Sequence, residues 1–454
     1  MGRSAPRAGA RSAASAPASF RTGGRPSVKT GGVEQRELEG GCPLWLLDRP
    51  GPAILSAKLW IRGGSAADPT GQRGRSQLLA GVLSRGCGRL SGEALADLVE
   101  GRGAGLRCEA AEDGTLISLK CASDDATLLL PLILQMVSSP WLVEDQITLE
   151  RQLNLQTLQR QKEDPFQVAH DQLRHQLYGD GPYGHDPLGV EAELAQLGRE
   201  ELQQCTQELG QGGAVLVLAG QLPEQPERLL LEGLGGQGWS TQAPVRHPGA
   251  PGLKQRSLAS KLDDTEQLVL MLGTTTGPLG SEQALALRLL HCHLGIGMSS
   301  RLFVALREEH GLAYDVGVHY PARLGDAPFV FHLSSSSDRA KEASQELLNE
   351  WLRLLEEPIS EEQLQLAKAK FRGQEALGRQ TCSQIADRHA LVLGHGLPFD
   401  FADRCLIEAE SLTANDLHQA AKALLQQPCL SLCGPDDAIK VAETVWNQHP
   451  LNRA

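Results

Sequence analysis

The chain has 454 residues, 41% hydrophobic and 22% charged, enough for two or three domains that each bury a core. A net charge of −12 and the lack of any basic stripe exclude a nucleic-acid binder. No apolar run approaches the roughly 18 residues that predict a membrane-spanning helix, which argues against a membrane protein.

Residues 1–33 carry five Arg, one Lys and no acid, amid Ser, Ala, Gly and Pro. They cannot form a core, and read as a disordered tail or a transit peptide. Ile54 to Ile61 follows as a strand, with a turn at Gly63-Gly64, then helices Arg75 to Ser84 and Ser91 to Glu100. Strands are predicted over Gly105 to Ala110 and Gly114 to Cys121, and helices over Asp124 to Val137 and Val143 to Gln161, separated by Pro140. A loop at GDGPYGH (179–185), a buried strand over Gly213 to Gly220 and a helix over Pro223 to Leu231 complete the first half. The proline-rich stretch 241–256 reads as a linker.

The second half repeats this order: a strand over Glu266 to Gly273, a helix over Glu282 to Leu294, a strand over Pro328 to Ser334 and a helix over Asp338 to Leu355. Strand, Ser-Asp, long helix, proline break and acidic second helix recur at an offset of about 210 residues. An internal duplication without βαβ alternation predicts two similar α+β domains, over 34–240 and 257–454, the first after the tail and the two joined by the linker.

Ten cysteines, at 42, 87, 108, 121, 205, 292, 382, 405, 429 and 433, show neither Cys-x-x-Cys nor a disulfide pattern, and predict reduced, buried thiols in a reducing compartment. His291-Cys292-His293 is no metal cluster, because neighbours on a helix diverge by about 100°.

The stretch SSRLFVALREEHGLAYDVGVHY (299–320) organises the second half. It reads as a helix, Ser300 to His310, stopped by Gly311 and followed by a strand, Leu312 to Val318. Arg307 and Tyr314 then offer a fixed cation and a phenol, two donors suited to a peptide carbonyl or its oxyanion. Spacing alone also fits a surface Arg paired with Glu308 or Glu309 and a Tyr packed in a sheet. The string SSRLF..LRE..GLAY closely resembles the second half of the pitrilysin/insulinase family of inverted-zincin metallopeptidases, in its mitochondrial-processing-peptidase-like branch. The resemblance covers roughly residues 34 to 450. It implies two homologous α/β-sandwich domains, each a mainly antiparallel sheet packed with helices, forming half of a clam-shell chamber.

Members of that family that cut carry His-x-x-Glu-His on the first long helix and a third ligand downstream, seven residues after the Glu of a Glu-Arg pair. The resemblance places the ligand positions on Gln77, Gly81 and Thr157, seven on from Glu150, and the base position on Ala80. An amide, a hydroxyl, a methyl and a bare backbone are no zinc site. Pro182, Tyr183 and Gly184 match a further family segment that reads as fold punctuation, with Gly181 where the family has His. The short Leu294-Gly295-Ile296-Gly297-Met298 loop departs from the longer glycine loop of the non-catalytic processing subunit.

The resemblance thus implies a non-catalytic subunit of a heterodimeric zinc peptidase for short or unfolded peptides. The chain itself would hold no cofactor, the zinc belonging to a His-x-x-Glu-His paralogue as partner, and alone it could form a homodimer. Arg307 and Tyr314 would bind the carbonyl of an extended substrate in trans. A non-enzymatic scaffold of the same fold is the alternative. The expected compartment is the bacterial cytoplasm, or else an organelle matrix or stroma.

Overall fold

Two β-sheets, one from each half of the chain, carry the architecture of the computed structural model, which describes residues 32–453 apart from 237, 238, 240, 242, 244, 247 and 249–255. The basic tail and most of the linker stretch therefore lie outside the described residues. The first sheet holds β1 (Val33–Glu37), β2 (Pro43–Asp48), β3 (Ile54–Arg62), β4 (Gly105–Ala110), β5 (Gly114–Ala122) and β6 (Ala214–Gly220) in the order β1-β2-β6-β3-β5-β4. The second holds β7 (Leu258–Leu262), β8 (Gln267–Thr275), β9 (Asp315–His319), β10 (Pro328–Ser336) and β11 (Cys429–Gly434) in the order β9-β10-β8-β11-β7. Every pairing is antiparallel except β2 with β6 and β7 with β11, which occupy matching places in the two halves. The repeat seen in the sequence is thus a repeat of topology.

Eight helices matter below: α1 (Arg75–Leu83), α2 (Glu144–Gln161), α3 (Pro165–Tyr178), α4 (Ala284–Gly295), α5 (Phe303–Glu309), α6 (Ala340–Glu356), α7 (Glu361–Leu377) and α8 (Cys382–Gly394). The Ser-Asp signature before each long helix forms a short 3₁₀ turn, Ser123–Asp125 and Ser337–Arg339, rather than an α-helical cap. Its hydroxyls make no capping bond, so the chain tightens into i→i+3 bonding first.

Strand alternation decides what each sheet face covers. Leu55, Ala57, Leu59 and Ile61 of β3 face a core shared with Leu78, Leu79 and Val82 of α1. On the opposite face Trp60, Val215 and Val217 meet Ile385, Ala386 and Ala390 of α8, a helix from the other half. The exchange is reciprocal. Ala169 and Leu173 of α3, from the first half, cover Val269, Met271 and Val330 of the second sheet. Polar groups fasten both exchanges: Lys58 pairs with Asp387 at 2.7 Å, and Ser431 donates to the Ala169 carbonyl at 2.8 Å. Burying a Leu or Val fully is worth roughly 1.5–3 kcal/mol, so the two borrowed helices bind the halves together.

Candidate functional site

The Arg307/Tyr314 element departs from its sequence-based expectation in an instructive way. Only the first turn, at Arg301 and Leu302, is α-helical; Phe303–Glu309 is wound as a π-helix. Buried Leu302 and Leu306 hold one side of it against the second core. Arg301 anchors its start through a 2.8 Å bond to the buried Glu350 of α6. Gly311 takes φ +61°, the left-handed stop that a Cβ would strain. The amides of Leu312 and Ala313 both donate to the Leu306 carbonyl, at 2.8 and 3.1 Å. Those two residues therefore belong to the cap, and the strand expected from Leu312 to Val318 begins only at Asp315 and runs to His319.

This turn brings Arg307 and Tyr314 together. Arg307 Nη1 donates to the Tyr314 carbonyl at 3.3 Å, and its guanidinium lies 5.1 Å from the Phe303 ring centroid. Among the described residues Arg307 makes no ion pair with Glu308, Glu309 or any other acid. Tyr314 is 76% exposed, not packed in the sheet, while its amide donates to Ser334 at 2.8 Å. The backbone is fixed and both polar tips face solvent.

The four zinc-related positions tell the opposite story. Gln77 buries an amide oxygen that has no hydrogen-bond partner, and Ala80 is buried. The Thr157 hydroxyl is spent on the Leu153 carbonyl at 2.9 Å. Gly81 packs directly on Glu150: a Cβ there would stand 2.7 Å from Glu150 Oε2. That carboxylate in turn accepts from Arg85 Nε at 2.6 Å. The donor set does not fit Zn²⁺, and a guanidinium beside it would repel a cation. Among the described residues no group of three His, Cys, Asp or Glu has metal-binding geometry. Gly81→His should destabilise the chain by about 1–3 kcal/mol through overpacking, read as a lower urea midpoint at constant m. An unchanged midpoint would mean that the Arg85–Glu150 pair yields freely.

Sequence reasoning missed a buried polar fastener between the halves. Asp113, in the turn between β4 and β5, accepts from the Tyr183 hydroxyl and from the Leu324 amide at 2.9 Å. His395, just beyond α8, brings Nε2 to 3.5 Å from the same carboxylate. Tyr183 Oη also accepts from the Gly325 amide at 2.8 Å, and neighbouring Glu112 pairs with Arg323. Burial pushes the Asp113 carboxyl up, but the nearby His395 ring and the bonds from Tyr183 and Leu324 outweigh it and hold the group below its ordinary value. The Pro182-Tyr183-Gly184 loop, expected to be punctuation, is thus a tie between the halves.

Beside the fastener, α3 lays His170 against His319 of β9, with ring centroids 5.8 Å apart. His332 of β10 stands opposite Gly317, which has no Cβ to collide with the ring. Burial, reinforced by Arg174 and Arg323, holds His170 down to about 3; burial with Arg323 and His332 holds His319 to about 4. Both rings are neutral in the folded chain, whereas the unfolded chain binds protons below about pH 6.5. Stability is therefore full above about pH 6.5 and falls as pH drops towards 4, each ring contributing at most about 1.4 kcal/mol per pH unit. His319→Gln should flatten that slope in thermal melts between pH 7 and 5; an identical slope would place the titration elsewhere.

Comparison with known proteins bears on the family and the fold. Residues 46–189 match a family model described as insulinase (peptidase family M16), and residues 196–371 one described as the peptidase M16 inactive domain. An uncharacterized zinc protease of Streptomyces coelicolor is 23% identical over 419 residues, 89% of this chain and 90% of the relative. The uncharacterized zinc protease YmxG of Bacillus subtilis is 22% identical over 368 residues, 80% of this chain and 89% of the relative. Among solved structures, a peptidase M16 inactive domain from Pseudomonas fluorescens superposes with a TM-score of 0.81 at 21% identity, covering 89% of this chain and 98% of that one. A chain of complex III2 from Candida albicans gives 0.72 at 15% identity, covering 91% and 100%. At these identities the superpositions establish the fold, two similar domains of mixed α/β structure with sheets packed against helices. With both halves matched by models of one family, the chain belongs to peptidase family M16.

Proposed function

We propose that this chain is the non-catalytic, substrate-binding subunit of a heterodimeric zinc metallopeptidase of the mitochondrial-processing-peptidase-like branch, acting on short or unfolded peptides. The observation that carries the reading is the contrast between two positions. Arg307 and Tyr314 are joined by one hydrogen bond, exposed and, among the described residues, free of ion pairs, while Gln77, Ala80, Gly81 and Thr157 offer no set of zinc ligands. A scaffold has no use for the first arrangement, and a self-sufficient peptidase could not work with the second. In this reading the partner is an M16 paralogue that carries His-x-x-Glu-His and the zinc. Arg307 and Tyr314 donate to the carbonyl of the partner-bound substrate and stabilise negative charge as it develops on that oxygen.

The substrate lies extended along a sheet edge and is held by its backbone, which favours broad specificity. β4 is such an edge, next to a cavity of about 690 Å³ lined by Arg85, Leu95, Val99, Leu106 and Trp141. The complex works in the cytoplasm, whose reducing chemistry suits ten cysteines that show neither Cys-x-x-Cys nor a disulfide pattern; burial raises Cys42 and Cys205 to about 12. No helix among the described residues is long and apolar enough to cross a membrane.

The test is co-expression with the His-x-x-Glu-His paralogue of the same source, followed by light scattering and peptide cleavage. A one-to-one complex that cleaves an unfolded peptide, with this chain inert and homodimeric or monomeric alone, is expected. Failure of the two chains to associate leaves the scaffold role in its place.

A further inference from the structure

A second cavity, of about 230 Å³, lies between α4, α7 and α8, away from the Arg307/Tyr314 turn in sequence and lined by Arg288, His291, Phe371, Glu375 and Arg388 among others. Its charge does not balance. Glu375, almost wholly buried, receives Arg288 at 3.0 Å and Arg388 on its other oxygen, with Arg379 at 3.9 Å. Among the described residues only Arg379 has a second acid, Asp403 at 2.6 Å. Three guanidinium groups thus meet two carboxylates. Lys370 adds another cation nearby, its amine bonded to the Ile296 carbonyl at 2.8 Å.

Hydrogen bonding is also incomplete. Among the described residues Arg388 Nε is buried and has no hydrogen-bond partner, and neither has Glu375 Oε2. Burial, with repulsion from Arg288 and Arg379, works against the charge on Arg388 and outweighs the help it gets from Glu375. Arg288 rests on the Phe371 ring at 5.0 Å, a stacking that fixes the plane of its fork. Buried donors are nearly always satisfied, so an orphaned guanidinium N–H beside an open cavity points to a missing acceptor.

We infer that this cavity is a binding site for a compact oxyanion, a carboxylate or a phosphate, held by Arg288 and Arg388 against the competing charge of Glu375. The volume is smaller than the roughly 300–1,000 Å³ of drug-sized sites, which restricts the ligand to a small anion or the anionic end of a larger one. Guanidinium forks match the planar oxygens of either group.

Glu375 gives the test a sign. In the full chain, sodium phosphate and sodium acetate are titrated separately against thermal melting, with sodium chloride at equal ionic strength as reference. A saturable rise with at least one of the two, beyond the chloride reference, is expected, and which anion saturates identifies the chemistry. Arg388→Gln removes a donor and should weaken the half-saturation concentration about tenfold or more; Glu375→Gln removes the competitor and should tighten it by a similar factor. Glu375→Gln remains decisive if Arg388→Gln does not fold. Responses that merely follow ionic strength, or half-saturation that Glu375→Gln leaves unchanged or weakens, overturn the inference.

Discussion

Asp113→Ala should lower the stability of the chain by about 3–5 kcal/mol, the cost of losing the hydrogen bonds that a buried carboxylate accepts. The substitution takes away the carboxylate that the Leu324 amide and the Tyr183 hydroxyl donate to and that His395 faces, all in buried surroundings. Each orphaned group costs about 1–3 kcal/mol, and the groups come from both halves of the chain. Asp113→Asn retains an acceptor oxygen and should cost less than Asp113→Ala. Urea unfolding followed by circular dichroism reads both; a loss below about 1 kcal/mol for Asp113→Ala would show that the borrowed helices α3 and α8 alone unite the halves.

Arg307→Ala should reduce peptide cleavage by the assembled complex about 10²–10³-fold, the range typical for loss of one oxyanion donor. Tyr314→Phe deletes only the hydroxyl and should cost about tenfold or more. Neither side chain supports the fold: Tyr314 is 76% exposed, and Arg307 contributes one bond, to the Tyr314 carbonyl, and a stack on Phe303. Melting temperature should therefore stay within the small range of surface substitutions while kcat/KM falls. A rate unchanged in both variants would remove these residues from substrate binding.

Much of this was legible in the sequence, and the misses have physical causes. Strand β3 and helix α1 were expected within a residue of their observed ends, because apolar periodicity and Gly63-Gly64 mark them locally. Strands β1 and β2 were not expected. VEQRE is a polar edge strand without an apolar face, and β2 opens on Pro43. The strand expected from Leu312 is delayed because two amides go to the Leu306 carbonyl, a bonding pattern invisible to alternation. Helix α3 was not anticipated, and nothing in its own stretch says that it covers the other half's sheet.

The candidate site divides the same way. Arg307 and Tyr314 lie seven residues apart across one glycine-capped turn, so local chemistry plus resemblance suffices to propose them together. Asp113, Tyr183 and His395 converge from three distant segments. Only Tyr183 carried a signal, its place in a loop that resembles the family, and that signal suggested punctuation rather than a tie. The Arg85–Glu150 pair was half visible: Glu150 was used to locate Thr157, but its contact with Gly81 depends on how α1 packs on α2. The same dependence hides the three arginines around Glu375.

The most direct test of the split-site account is a titration of the zinc-bearing paralogue with this chain while cleavage of one unfolded peptide is followed. The account predicts no turnover for either chain alone and a rate that rises and levels off at one equivalent. A zinc chain fully active by itself, whose rate does not change as this chain is added, would contradict it.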